Sequence, residues 1–298
     1  MTNKKALFIG LTYIDVTIPT DTIPQGDDKA IAETYEAGIG GNATIAAITN
    51  TKLGQKTDLI TPLADDFLGQ MVATKYEAYG IKLHTRKVEK TSLSLVLPNN
   101  HKRAILRCRN VNYLEPFPEI PLDEVGILHV DGHQPDAALH YAKACREKGI
   151  TTSFDGGGIK DGVLELLNYI DIGVLSVRFC EQLEKTPEET LKWLWEEYKT
   201  PVAAVTLGGD GLIYALDGGE TQHIPAIKID DDEIKDTTGA GDIFHGAYVA
   251  SYMANAELDW AEHFRFARAA SSLSIQCLGT EASIPTLLEV QSFHAEHR

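Results

Sequence analysis

Between residues 126 and 206 the chain alternates short apolar runs with longer amphipathic ones, and few folds accommodate that rhythm. Strands are expected at 126–130, 151–154, 172–176 and 202–206, with helices at 136–148, 160–169 and 187–198 between them. The last helix opens on Pro187 and two glutamates, which suits a first turn with free N–H groups and a positive dipole end. Strands joined through helices run parallel, and a parallel sheet buries both faces under helices. The expected class is therefore α/β, a three-layer, mostly parallel sheet with helices on both faces.

The flanks extend the pattern. Further strands are expected at 6–10, 56–61 and 212–216, and helices at 66–79, 243–254 and 261–276. A glycine-rich loop at 36–45 feeds another helix that stops at Gly54. Two stretches depart from the rhythm, about 12–35 and 88–113. Both read as extended chain, the second as strands at 92–97 and 103–107 around a turn at 98–101. They are expected to pair into a small β-sheet lid on a single unit spanning residues 1–298. Open edges on such a lid would allow a homodimer through it. Trp193, Trp195 and Tyr198 read as packing residues, and His294 and His297 as a frayed end.

Charge narrows the partners. With 43 acidic and 27 basic residues the formal net charge is −16, which argues against nucleic acid and against an anionic membrane surface. No apolar run approaches the ~20 residues of a membrane span. The four cysteines, Cys108, Cys145, Cys180 and Cys277, are dispersed, and without a recognisable leader the reading is reduced thiols in a cytoplasmic protein.

Glycine spacing then excludes the commonest nucleotide motifs. There is no Gly-Lys dipeptide, so a P-loop is absent. The first strand is followed by Leu-Thr-Tyr-Ile-Asp15 without the glycines of a dinucleotide fingerprint. The segment KDTTGAGDIFHGAY, residues 235–248, is more informative. Glycines let backbone N–H groups converge on one point, and a helix start adds orphaned N–H groups. Gly239, Ala240 and Gly241 are thus a candidate anion site, with Asp242 facing a hydroxyl. The plain alternative is an aspartate that only caps a helix.

DTTGAGDIFHGA resembles the C-terminal signature of the ribokinase-like, or PfkB, carbohydrate kinases. AGIGGNATIAAITNTKLG followed by PLADDFLG resembles their N-terminal signature. The resemblance covers essentially the whole chain. It implies ATP-dependent phosphorylation of a primary hydroxyl, with Asp242 as base and Gly239–Gly241 as the hole for the γ-phosphoryl group. It also implies that Asp15, Gly40, Gly41 and Asn42 contact the sugar. Thr206, Gly208, Gly209 and Gly211 would hold nucleotide phosphates, and Ser271 and Gly279 would lie by adenine. Mg²⁺ is expected with ATP, and a monovalent cation is left open. Three positions depart from the family pattern: Ile45 and Arg178 stand where Asn is usual, and Ala64 where Gly is usual. Glu181 keeps an indirect role toward the metal.

Substrate identity is less constrained. Lys29, Arg107, Arg109 and His133 would converge near the far end of a sugar and suit a phosphate, sulfonate or carboxylate. FHGA after Asp242, with Lys29, resembles a sulfofructose-kinase-like branch. A neutral sugar, a nucleoside stacked on Tyr13, Tyr35 or Tyr113, and a non-catalytic binder of sugar or nucleotide are the alternatives. Asp155, at a strand end, is a candidate for orienting phosphate or metal-bound water. His245 reads as a locally packed helix residue.

Overall fold

The computed structural model describes residues 4–20, 22–99 and 102–298. Asn100 and His101, the tip of the expected turn, lie outside the described residues. The chain runs β1 (Lys5–Ile9), β2 (Tyr13–Thr17), β3 (Glu36–Gly40), α1 (Asn42–Lys52), β4 (Thr57–Leu63) and α2 (Phe67–Tyr79). It continues with β5 (Lys82–Lys87), β6 (Leu93–Asn99), β7 (Lys102–Cys108), β8 (Val125–Val130), α3 (Pro135–Glu147), β9 (Thr151–Gly156) and α4 (Val163–Leu166). Then come β10 (Ile172–Ser176), α5 (Val177–Gln182), α6 (Pro187–Tyr198), β11 (Val202–Thr206), β12 (Leu212–Leu216) and β13 (Gln222–Ile224). Three helices close the chain, α7 (Ala240–Ala254), α8 (Trp260–Ser274) and α9 (Leu287–Glu296).

Nine strands form one sheet in the order β13-β12-β11-β10-β9-β8-β1-β4-β5. From β11 to β5 every pairing is parallel, and β12 and β13 add antiparallel strands at one edge. Side chains alternate across the sheet as strand geometry requires. Ala6 and Phe8 enter the core under α1, α7 and α8, while Leu7 and Ile9 enter the opposite core under α3 and α6. The mostly parallel three-layer expectation holds.

A separate four-stranded sheet has the order β3-β2-β6-β7. Its third segment corrects the sequence reading: residues 36–40, expected as loop, form strand β3, paired antiparallel with β2. Residues 22–35, expected to contribute, are exposed and carry no strand. Glycine content made β3 look irregular, yet the glycines are sterically demanded. A Cβ on Gly40 would overlap the Asp15 carboxylate across the pair, and one on Gly38 would press on Glu281.

Other corrections have equally local causes. Strand β5, KLHTRK, is polar because it is a sheet edge, with His84 on Asp58 at 2.8 Å and Arg86 on Asp136 at 2.6 Å. The expected helix at 160–169 shrinks to α4 and a 3-10 turn, because Gly162 takes a φ of 79°. The tail is not frayed at His294: a Thr286–Glu289 capping box starts α9, and His294 Nε2 lies 2.9 Å from Glu262 Oε1.

Helix α7 is the central strut, packed on both α1 and α8. Gly246 permits the α1 contact, since a Cβ there would overlap the Ala46 carbonyl and press on Thr49. Gly246→Val should lower unfolding free energy by about 3 kcal/mol through overpacking. Urea unfolding should show a lower midpoint with an unchanged slope; an unchanged midpoint would refute this account of the helix contact.

Candidate active site

The carboxyl ends of the parallel strands gather the expected residues on one side of the large sheet, where open α/β sheets bind ligands. Asp236 shapes the glycine-rich loop there. Its Oδ1 accepts the Thr238 N–H at 2.8 Å and its Oδ2 the Gly279 N–H at 3.2 Å. Lys235 and Asp236 donate their own N–H groups to the Ile275 carbonyl at the end of α8. Gly239, with a φ of 78°, starts α7, and a Cβ there would overlap Thr280. Ser271 Oγ donates to the Ala240 carbonyl at 3.0 Å.

The helix begins at Ala240, two residues earlier than the expected Asp242 start, and no side chain caps it. Asp242 therefore stands inside the first turn and is not the cap. The N–H groups of Gly241 and Asp242 belong to the set that helix geometry leaves without intrahelical partners, while the Ala240 N–H lies 3.4 Å from the Thr237 carbonyl. At Gly241 a Cβ would meet no protein atom within 4 Å.

Asp242 faces three other carboxylates brought by three different strands. Asp15 sits on β2, Asp131 follows β8, and Asp155 is on β9. Burial pushes the Asp242 carboxyl well above the usual range, and the charges of Asp155, Asp131 and Asp15 push it further; Arg107 on β7 opposes them. Burial also raises Asp15, against the pull of Arg107. Asp131 is the exception. Burial works against its charge, yet His133 at 3.2 Å, Lys160 and backbone donors hold its carboxyl well below the usual range. Its oxygens accept the N–H groups of His133 at 2.9 Å and Ala43 at 3.2 Å, which ties β8 to the start of α1. Lys160 Nζ reaches the Asp131 carbonyl at 2.9 Å.

On the sugar side, Gly41 takes a φ of 110°, and a Cβ there would strike the Leu11 carbonyl. Asn42, the first residue of α1, donates Nδ2 to Asp155 Oδ2 at 2.9 Å. Arg107 is exposed, lies over the Tyr13 ring at 5.3 Å, and has no ion-pair partner among the described residues. Lys29 lies in the exposed 22–35 stretch, with no hydrogen bond or ion pair among the described residues. Tyr113 has a face covered by Arg86 at 3.4 Å, Tyr13 is buried, and Tyr35 is exposed. Tyr13 and Tyr113 are thus packing residues of the small sheet and its root.

On the nucleotide side, Thr206 ends β11 and leads into a 3-10 turn, Gly208–Asp210. A Cβ at Gly208 or Gly209 would meet nothing, whereas one at Gly211 would strike the Ile224 carbonyl. The N–H of Gly279 is spent on Asp236. Glu181 is exposed on α5, one turn from Arg178, and Arg178 borders the Gly158 backbone. Among the described residues no three or more His, Cys, Asp or Glu side chains converge to hold a metal. Mg²⁺ fits this chain as a partner of the nucleotide phosphates, which is its usual habit.

Sequence reasoning did not single out Asp236, Lys160 or Glu281. Glu281 is buried, accepts the Ile39 N–H at 2.6 Å and Lys75 Nζ at 2.7 Å, and receives the Tyr79 hydroxyl at 2.8 Å. All three act across long stretches of chain, and only Asp236, inside the glycine motif, carried a local signal.

Comparison with known proteins agrees with this fold. The sequence model described as pfkB family carbohydrate kinase matches residues 3–287. A ribokinase of Lactococcus lactis is 26% identical over 97% of this chain and 96% of its own length. An ATP-dependent ribose-1-phosphate kinase of Halopiger xanaduensis is 26% identical over 98% of each chain. The structure of Arabidopsis thaliana ribokinase complexed with ribose and ATP superposes with a TM-score of 0.83, at 24% identity, over 98% of each chain. None of these is named as a sulfosugar kinase, and the leaning toward that branch is not confirmed.

The crowding of carboxylates has a stability consequence. A carboxyl raised by the fold costs stability when ionised. That cost is full above its raised midpoint, shrinks as pH falls through it, and is gone below the ordinary carboxylate range. Asp242→Asn should therefore raise Tm at neutral pH, with the gain fading on acidification. A pH-independent Tm difference would contradict the electrostatic account.

Proposed function

Because the chain belongs to the pfkB family of carbohydrate kinases, we propose that it transfers the γ-phosphoryl group of ATP to a primary hydroxyl of a sugar, with Asp242 as the general base. The observation that carries this reading is Asp242 itself, set inside the first turn of α7 directly after the glycine-rich loop and with its proton affinity raised by its surroundings. A base works best when its proton affinity lies near the working pH. Asp242 takes the hydroxyl proton, the sugar oxygen attacks the γ-phosphorus, and the bond to the departing ADP oxygen breaks. Charge that develops on the phosphoryl oxygens meets the N–H groups of Gly239, Ala240 and Gly241. Mg²⁺, when bound with ATP, neutralises phosphate charge, and Glu181 is the carboxylate assigned an indirect part in holding it.

Asp15 and Asn42 would orient sugar hydroxyls, with Gly40 and Gly41 admitting the substrate close to backbone. Thr206, Gly208, Gly209 and Gly211 would line the phosphates, and Ser271 and Gly279 the adenine. The four-stranded sheet would serve as a lid on one kinase unit spanning 1–298. A sugar bearing an anionic group suits Lys29, Arg107, Arg109 and His133. Arg107 is charged, unpaired and close enough to influence both Asp15 and Asp242. The kinship with a ribose-1-phosphate kinase supports that class.

Asp242→Asn should retain the fold and lower turnover by roughly 10²–10⁴-fold. Coupled ADP release over ketoses, aldoses, sugar phosphates and nucleosides measures this, and near-normal turnover in the variant would sink the assignment. ATP binding with no ADP formation on any acceptor would instead favour a non-catalytic binder. For the anionic class, Arg107→Ala should raise KM for an anionic sugar roughly tenfold or more, the worth of a charged hydrogen bond, with kcat little changed. Equal effects on neutral and anionic acceptors would exclude it.

A further inference from the structure

Beneath the candidate base runs a line of buried polar groups that the proposed transfer does not use. His129 on β8 and Ser153 on β9 are fully buried, as is Tyr248 on α7, and His245 on α7 and Asp155 on β9 are each 5% exposed. His129 Nδ1 lies 2.9 Å from Ser153 Oγ, Ser153 Oγ lies 2.6 Å from the Tyr248 hydroxyl, and that hydroxyl lies 3.2 Å from His245 Nδ1. His245 Nε2 then faces Asp155 Oδ1 at 3.4 Å, while Asn42 donates to the other Asp155 oxygen at 2.9 Å.

Each hydroxyl in this line has one proton to give, so its hydrogen bonds must all point one way. Both ends choose the same direction. At the Asp155 end, an imidazole N–H toward the carboxylate is attractive, whereas a lone pair there is repulsive. At the His129 end, Nε2 is buried with no partner, beside the Phe8 ring at 5.3 Å. An orphaned donor N–H is rarer in proteins than an under-used acceptor, so Nε2 carries the lone pair and Nδ1 the proton. Burial depresses both imidazoles, His129 to about 3 and His245 in the same direction, so each holds a single proton at neutral pH.

We propose that His129, Ser153, Tyr248 and His245 form a one-way chain of proton donors pointing at Asp155, and that these positioning residues hold the Asp155 carboxylate beside Asp242. The inference rests on Asp242 being the base. Asp155 is the foremost of the charges acting on Asp242, ahead of Asp131 and Asp15, with Arg107 opposing them. His133 and Lys160 act on Asp131, whereas Asp155 is the carboxylate that His245 faces. Dipoles aligned in series in a low-dielectric interior reinforce one another, and here they converge on the carboxylate that most affects the base.

Nitrogen-15 correlation spectra of histidine-labelled protein, assigned with single His→Gln variants, read the tautomers directly. The expected result at neutral pH is neutral His129 protonated at Nδ1 and neutral His245 protonated at Nε2; the opposite tautomer at either overturns the chain. Carboxyl carbon-13 titration of Asp242 reads the consequence. Asp155→Asn should move the Asp242 midpoint down by about one pH unit, the scale for losing a neighbouring like charge, and the acid limb of kcat/KM should follow. An unmoved midpoint overturns the proposal. A moved midpoint in a protein that phosphorylates no sugar upholds the placing of Asp155 beside Asp242 and refutes the kinase reading. If Asp155→Asn does not fold, the tautomers of the unaltered protein decide.

Discussion

Like charges crowded at the carboxyl ends of the strands are the constraint that the rest of the structure accommodates. Asp15, Asp131 and Asp155 come from three different elements near enough to act on Asp242, on a fourth. The fold treats them unequally. Asp131 receives two backbone N–H groups and the charges of His133 and Lys160, and its carboxyl is held low. Asp155 receives Asn42 and faces His245. Asp242 has no side-chain hydrogen bond or ion pair among the described residues and carries the surplus, with its carboxyl raised. Separating neighbouring carboxylates in proton affinity is how a site divides acid–base labour.

Glu281 links this chemistry to the small sheet. Its carboxylate holds the Ile39 N–H of β3, and Lys75 and Tyr79 hold it from α2. The same turn carries Gly279, bonded to Asp236, and Thr280, against Gly239. The strand bearing Gly40 and the loop bearing Gly239–Gly241 are thus joined through a five-residue stretch, 277–281. Neither end can shift far without disturbing hydrogen bonds at the other, which gives a physical route between the expected sugar and phosphate sides.

What the sequence revealed and what it hid divide along range of interaction. The parallel sheet was legible because apolar runs alternate with amphipathic ones over short distances. The loop and Asp242 were legible because their chemistry lies within seven consecutive residues, although the helix start fell two residues early. Strand β3 was misread because its glycines look like a loop, whereas the Asp15 carboxylate, 25 residues earlier in the chain, requires one of them. Glu281 was invisible because its partners lie 242 and 206 residues away.

The glycines separate two demands that a sequence motif merges. Gly40, Gly41, Gly239 and Gly246 are each imposed by the protein, because a Cβ would overlap a carboxylate, a carbonyl or a threonine. Gly209 and Gly241 are different. Neither needs a positive φ, and at neither would a Cβ touch protein. In the first turn of α7, alanine at 241 would suit the helix better than glycine. Retaining glycine where the fold does not ask for it is the mark of a backbone that must let something else come close. Gly241 lies one residue before Asp242 and Gly209 follows the end of β11, so the two unforced glycines leave open space beside the candidate base and beyond the end of that strand.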